Sequence, residues 1–283
     1  MHVLNIPVAD ALLDRWVHWF SPVVQPFLVN ADLASELGEQ TQGVVLSGEL
    51  RDTYGLYGHP NHLQVVWLSE TQFRCLGQPR KVALVRAQRT FGRELVPSVR
   101  TWESVVGYPA RAQADGHRFL WWPSLIAGRE ELVLRHFVEE GRRASRHDDV
   151  TPGVWRAANH TLPGAQQLAG TFADASGPNC FGTVMAAAGV DHADTQWMMR
   201  EPFEDWLRQN TRPGGRDIEV GTVLVWRSLD GLVQHAAVTL GRGWVLHKPS
   251  QGWMSPIKVL TVGQCKASSR VVGHHLERHS LLA

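Results

Sequence analysis

The chain has 283 residues, with 28 Lys and Arg against 27 Asp and Glu and a formal charge of +1. A composition of 43% hydrophobic and 19% charged residues is that of a folded globular chain and excludes wholesale disorder, and the charge balance gives no support for nucleic acid as the main partner. Three cysteines, Cys75, Cys180 and Cys265, exclude a disulfide scaffold and leave at least one thiol free.

The first ten residues lack a basic run, and Asp10, Asp14 and Arg15 interrupt the apolar stretch a secretion signal needs. No run approaches ~18 apolar residues, so no transmembrane helix is expected and the cytoplasm is the expected compartment. Leu12, Leu13, Trp16, Val17 and Phe20 form a helical stripe over 9–20, closed by Pro22 and Pro26. Residues 43–50, 63–69, 72–76 and 81–88 read as short strands. Turns at His59–His62 and Gly77–Pro79 separate them. Phe119–Trp122 is a further apolar run, and 128–146 reads as the clearest helix of this half. The polar stretch His147–Gly153, with Pro152 and Gly153, suits a linker. The expected division is an α+β domain over 1–150, its role unread, and a second domain over 151–283.

In the second half, Ser176 is a helix cap and Pro178 suits a first turn. Phe181, Val184, Met185 and Ala188 then make one apolar stripe, and Gly189 ends it. Cys180 falls in the first turn, where backbone N–H groups and the helix dipole favour a thiolate and offer donors to an oxyanion. A lone cysteine is by itself more often a small buried hydrophobe; what lies downstream changes the balance.

Residues 218–226, 234–240 and 244–247 read as strands, the last two joined by Gly241-Arg242-Gly243 as a hairpin. With a three-residue loop, Leu240 pairs with Trp244 and His247 faces Ala237. Side chains alternate along a strand, so His235 shares the face of Ala237. The two imidazoles become diagonal neighbours. Loops of two or four residues would separate them, barring a bulge. A thiol, a histidine base and a second polar group that orients the base make up the logic of a Cys-His triad. His235 would take the proton of Cys180, and His247 would hold the other ring nitrogen.

The ordered set Asn179-Cys180-Phe181-Gly182, Val220-Gly-Thr-Val-Leu224, His235 to Gly243 and His247 resembles the NlpC family of papain-like cysteine peptidases over roughly 160–262. The resemblance implies a papain-like α+β domain, its nucleophile helix packed on an antiparallel sheet. It also implies hydrolysis of amide bonds in bacterial cell-wall peptides, commonly next to D-glutamate. Family members carry Asp-Cys-Ser-Gly at the nucleophile; here Asn179 and Phe181 replace the Asp and the Ser. In several members that aspartate helps to bind a free substrate amine.

The expected activity is therefore a cysteine peptidase or amidase with a Cys180, His235, His247 triad, acting on a peptide or small amide. An inactive relative that binds a peptide or partner, or an acyltransferase or esterase, is the alternative. Asn179, Trp244, Gln251 and Trp253 are candidates to border the cleft. No metal or organic cofactor, nucleic acid or membrane is called for.

Other features read as structural. His274, His275 and His279 have helical chelate spacing but lack a completing ligand apart from Glu277. His59 and His62 flank a turn proline. Cys75 reads as strand core, and Cys265, beside Lys266, has no histidine pattern to support it. Trp67, Trp121, Trp122 and Trp226 read as mostly core. Serine-nucleophile elbows, phosphate loops and dinucleotide fingerprints are missing.

Overall fold

The computed structural model describes residues 1–37, 46–56, 62–93 and 95–282. It is a mixed α+β fold, and the described strand pairs are antiparallel. No helix among the described residues is long and apolar enough to cross a membrane. The chain divides into two compact units, Met1–Val8 with Val138–Ala283, and Ala9–Phe137.

The first unit opens with a small hairpin, β1 (His2–Val3) and β2 (Ile6–Pro7), turned by Leu4 and Asn5 at positive φ. The second unit then begins. Helix α1 (Asp10–Phe20) buries Leu12, Trp16 and Phe20, as its stripe requires. Strand β3 (Val24–Val29) includes Pro26 rather than stopping before it. Short helices α2 (Ala31–Leu37) and α3 (Gly48–Thr53) follow. Strand β4 (Gln64–Ser69) pairs with β3, Phe27 opposite Val66.

Two expected strands are helices. Helix α4 (Glu70–Cys75) starts at a capping box in which Ser69 and Gln72 satisfy each other's backbone N–H groups. Helix α5 (Gln78–Thr90) starts at Gly77 with Pro79 in its first turn, and Leu84, Val85 and Gln88 are buried on one side. The Gly77–Pro79 turn is thus a helix start. The strand expected over 43–50 is helical from Gly48, and its first residues lie outside the described chain, as do His59, Pro60 and Asn61 of the expected turn. Helix α6 (Val99–Arg111) is kinked at Gly107, whose φ of 47° departs from helix two residues before Pro109. Phe119 to Trp122 forms no regular element but is fully buried, with Trp121 edge-on to Trp102 at 4.7 Å. Helix α7 (Pro123–Ile126) and most of α8 (Glu130–Glu139) complete the unit; α8 is shorter than the expected 128–146.

The division falls at Phe137/Val138 rather than near 150, and Met1–Val8 belongs with the later residues. The physical reason is hydrogen bonding. Leu4 donates to Glu139 Oε1 (3.0 Å), Ser145 N–H to the Leu4 carbonyl (2.8 Å), and Asn5 to Asp148 (3.0 Å). The expected linker is also tied down, because Arg146 N–H donates to the Val259 carbonyl at 2.8 Å.

The rest of the first unit comprises α9 (Pro152–Asn159), α10 (Ala165–Leu168), α11 (Cys180–Ala187), α12 (Arg200–Asn210), β5 (Thr211–Pro213), β6 (Val220–Arg227), β7 (Val233–Gly241), β8 (Trp244–His247), β9 (Lys258–Thr261), α13 (Val262–Ser268) and β10 (His275–Leu281). Six strands make one sheet in the order β5-β10-β6-β7-β8-β9. Alternation gives the sheet two buried faces. Val223, Val225, Ala236, Val238, Leu246 and Val259 pack with α11. Leu224, Trp226, Ala237, Val245 and Leu260 pack with Cys265 of α13.

Candidate active site

Helix α11 starts at Cys180 because Asn179 caps it. The Asn179 side-chain oxygen accepts from the N–H groups of Phe181 and Gly182, both at 3.1 Å, and its amide donates to the Met198 carbonyl at 2.7 Å. The cap is therefore Asn179, and Ser176 instead receives the N–H of Trp253 at 3.3 Å. Gly182 has a separate role: a Cβ there would stand 2.1 Å from the Ala193 carbonyl oxygen, so only glycine lets that chain segment pass.

Cys180 is buried in the core that also holds Phe181, Ala236 and Leu246. Burial pushes its thiol up to about 11, opposed by the N–H groups of Ala236, Phe181 and Cys180 and by the charge of Lys248. The helix start alone suggests a thiolate; desolvation outweighs it, and the resting group is a neutral thiol. Of the N–H groups at the sulfur, that of Phe181 is already donated to the Asn179 cap.

The hairpin brings the two histidines together, by a route that differs in one detail. Val238 pairs with Leu246 and Thr239 with Val245, the register expected. The turn itself is shorter: Gly241 pairs with Trp244, and Arg242 (φ 50°) and Gly243 (φ 82°) form a two-residue primed turn. A bulge between Thr239 and Gly241 absorbs the extra residue and restores the register. His235 Nε2 lies 3.1 Å from His247 Nδ1, with the rings edge to face.

The imidazole of His235 also lies against Trp226, 5.1 Å between ring centroids. Burial pushes its pKa down to about 4. His247 is held well below the ordinary histidine value, first by burial and then by His235, Lys258 and Lys248. Both rings are neutral at pH 7. Among the described residues no hydrogen bond joins the thiol of Cys180 to His235. The sulfur meets the N–H of Ala236 on the α11 side of the sheet, whereas His235 and His247 project with Trp226 and Ala237 toward the α13 side, and Cys180 does not line the cleft they open into; the structure does not assemble the expected triad.

The other expected positions have different surroundings. Trp253 is fully buried, and Gln251 uses its carbonyl to accept from Gly177 at 2.9 Å. Trp244 is half-buried under the Arg146 guanidinium, 4.8 Å from the ring centre. None of these borders the cleft of about 530 Å³ into which His235 and His247 open. Asn179, a helix cap, does not border it either. That cleft is lined instead by Arg142, Arg143 and Lys258, which the sequence did not single out, and by His274, which was read as structural. Only the rarity of lysine could have flagged Lys258, one of four in the chain.

Cys75 is exposed at the end of α4, not core, because Phe73 takes the buried side of that helix. Cys265 is fully buried and burial pushes it up to about 12; its neighbour Lys266 is engaged by Asp217. His275 and His279 lie on a strand rather than a helix, both beside Glu277, which also binds Arg227. No cluster of three or more His, Cys, Asp or Glu suited to a metal occurs among the described residues. Trp121, Trp122 and Trp226 are buried, and Trp67 is half-buried.

No family model matches the chain, nor does any curated protein or solved structure.

Proposed function

We propose that the C-terminal unit is a papain-like cysteine hydrolase that cleaves a peptide or small amide. The observation that carries this reading is the 3.1 Å contact between His235 Nε2 and His247 Nδ1; the cysteine at a capped helix start meets the N–H of the residue that follows His235. Neutral imidazoles bonded through one nitrogen each leave Nδ1 of His235 as the basic atom when Nε2 carries the proton.

In this scheme Sγ of Cys180 attacks the carbonyl carbon while its proton passes to Nδ1 of His235. The carbonyl oxygen takes the electron pair and is met by N–H groups at the helix start. The C–N bond then breaks, and His235 returns the proton to the leaving amine. Water hydrolyses the thioester with His235 as base. His247 keeps the ring of His235 in one tautomer throughout. A resting thiol and imidazole that are both neutral suit general-base attack, with charge created only after substrate has displaced water.

The missing hydrogen bond between Cys180 and His235, and their projection toward opposite faces of the sheet, favour a second reading, a papain-like domain that binds a peptide or partner without cleaving it. Cell-wall peptide fragments and simple aminoacyl amides, assayed with mass analysis of the protein, separate the two. Hydrolysis of one of them, a thioester adduct on Cys180 and loss of both in Cys180→Ala and His235→Ala are the results expected of a hydrolase. Binding with no turnover and no adduct would leave only the second reading.

A further inference from the structure

The cleft beside the histidine pair has a charge pattern that the hydrolytic scheme does not use. Lys258 stands directly opposite His247 across β8 and β9 and is 4% exposed. Lysine is almost never buried to that extent without a partner of opposite charge. Its Nζ donates to the Arg143 carbonyl at 2.9 Å, which leaves two N–H donors. Arg142, Arg143 and His274 line the same space of about 530 Å³, and among the described residues no aspartate or glutamate does.

His247 adds an observation of a different kind. The residue is 2% exposed, and its Nε2 is buried without a hydrogen-bond partner among the described residues. A buried polar nitrogen left unsatisfied costs about 1–3 kcal/mol. In the tautomer of the hydrolytic scheme, Nδ1 accepts from His235 and Nε2 carries a hydrogen. The unsatisfied atom is then a donor next to an ammonium group in a cleft ringed by guanidiniums. What such a set lacks is an acceptor with negative charge.

We propose that this cleft binds an oxyanion, the carboxylate or phosphate group of a small ligand, through Lys258, Arg143 and Nε2–H of His247. The tautomer rests on the hydrolase reading; the cavity and its cations do not. Burial and the neighbouring guanidiniums already hold Lys258 at about 8, against the opposing pull of Cys265. A bound anion offsets that penalty.

The test is histidine-edited NMR on the whole protein at pH 7, with the His247 signal assigned by its loss in His247→Gln. Inorganic phosphate and glutarate are the probes, with glutaramide and sodium chloride at matched ionic strength as controls. A saturable shift of the His247 resonance with either anion and neither control is expected, and the responding anion assigns the source. Lys258→Met should weaken the response at least tenfold. Because a buried lysine can be needed for folding, Arg143→Ala, at an exposed side chain, serves as the second variant and should also weaken it. No saturable shift, an equal shift with glutaramide, or unchanged binding in both variants would overturn the proposal. The readout is binding alone, so absence of amide turnover leaves this site standing, and its failure leaves the chemistry of Cys180 standing.

Discussion

The ionisation of Cys180 yields the sharpest prediction. Burial holds its thiol at about 11, so at pH 7 roughly one molecule in ten thousand carries a thiolate. The perturbation is pH, and the assay is alkylation by iodoacetamide with mass detection. Cys75 is exposed and would label first, so the measurement belongs in a Cys75→Ser background. Only thiolate reacts. The rate at Cys180 should therefore climb about tenfold per pH unit, or about a hundredfold from pH 7 to pH 9. Cys265, pushed up to about 12 and fully buried, should label more slowly throughout. A plateau in the Cys180 rate between pH 6 and pH 9 would refute the reasoning. It would mean that a thiolate–imidazolium pair already exists and that the helix start and His235 outweigh desolvation.

Three further outcomes are expected. Asn179→Ala should destabilise the protein by about 2 kcal/mol, since it removes the acceptor of two buried N–H groups and the donor to Met198; a change of urea midpoint equivalent to under ~0.5 kcal/mol would contradict the capping role. Gly182→Ala should also destabilise, by about 2 kcal/mol, because the contact with the Ala193 carbonyl outweighs the better helix propensity of alanine; a gain in melting temperature would count against the close approach. The third concerns acid. His235 titrates near 4 in the folded chain and at 6.5 unfolded, so the unfolded state takes up the proton first. Its contribution is complete above pH 6.5 and is lost as pH falls from 6.5 through 4, by about 3 kcal/mol. His235→Gln should lose that much less between pH 7 and pH 4, and an unchanged acid slope in urea titrations would exclude the burial of a neutral ring.

Legibility differs between the two halves for physical reasons. In the hairpin, period-two alternation and a Gly-Arg-Gly turn constrain each other, so the pairing of His235 with His247 could be read from letters. Reading the turn as three residues missed the bulge but not the register, because the bulge supplies the same offset. Over 72–88 the apolar letters Phe73, Val82 and Val85 suggested strands. The start signals there were stronger than the propensities: Ser69 and Gln72 spell a capping box, and Gly77 with Pro79 spells a helix entry. Thr261 and Gln264 repeat the capping box at α13, where it also went unread. Burial was the least legible quantity. The expected thiolate at Cys180 followed from local backbone geometry, whereas its protonation follows from burial in a core drawn from distant segments. Lys258 and Arg143 meet through a contact between distant segments, which no local pattern announces.

The placement of Met1–Val8 beside the segment after Val138 has a consequence for synthesis. Ala9–Phe137 is complete, with its own core, before any of the later partners has left the ribosome. Chains fold domain by domain from the N-terminus as they emerge. The first eight residues therefore stay without their hydrogen-bonding partners while a whole unit is made behind them. Their acceptors and donors at Glu139, Ser145 and Asp148 arrive only then. Residues 1–8 are thus translated before a whole unit and acquire their native bonds only after it.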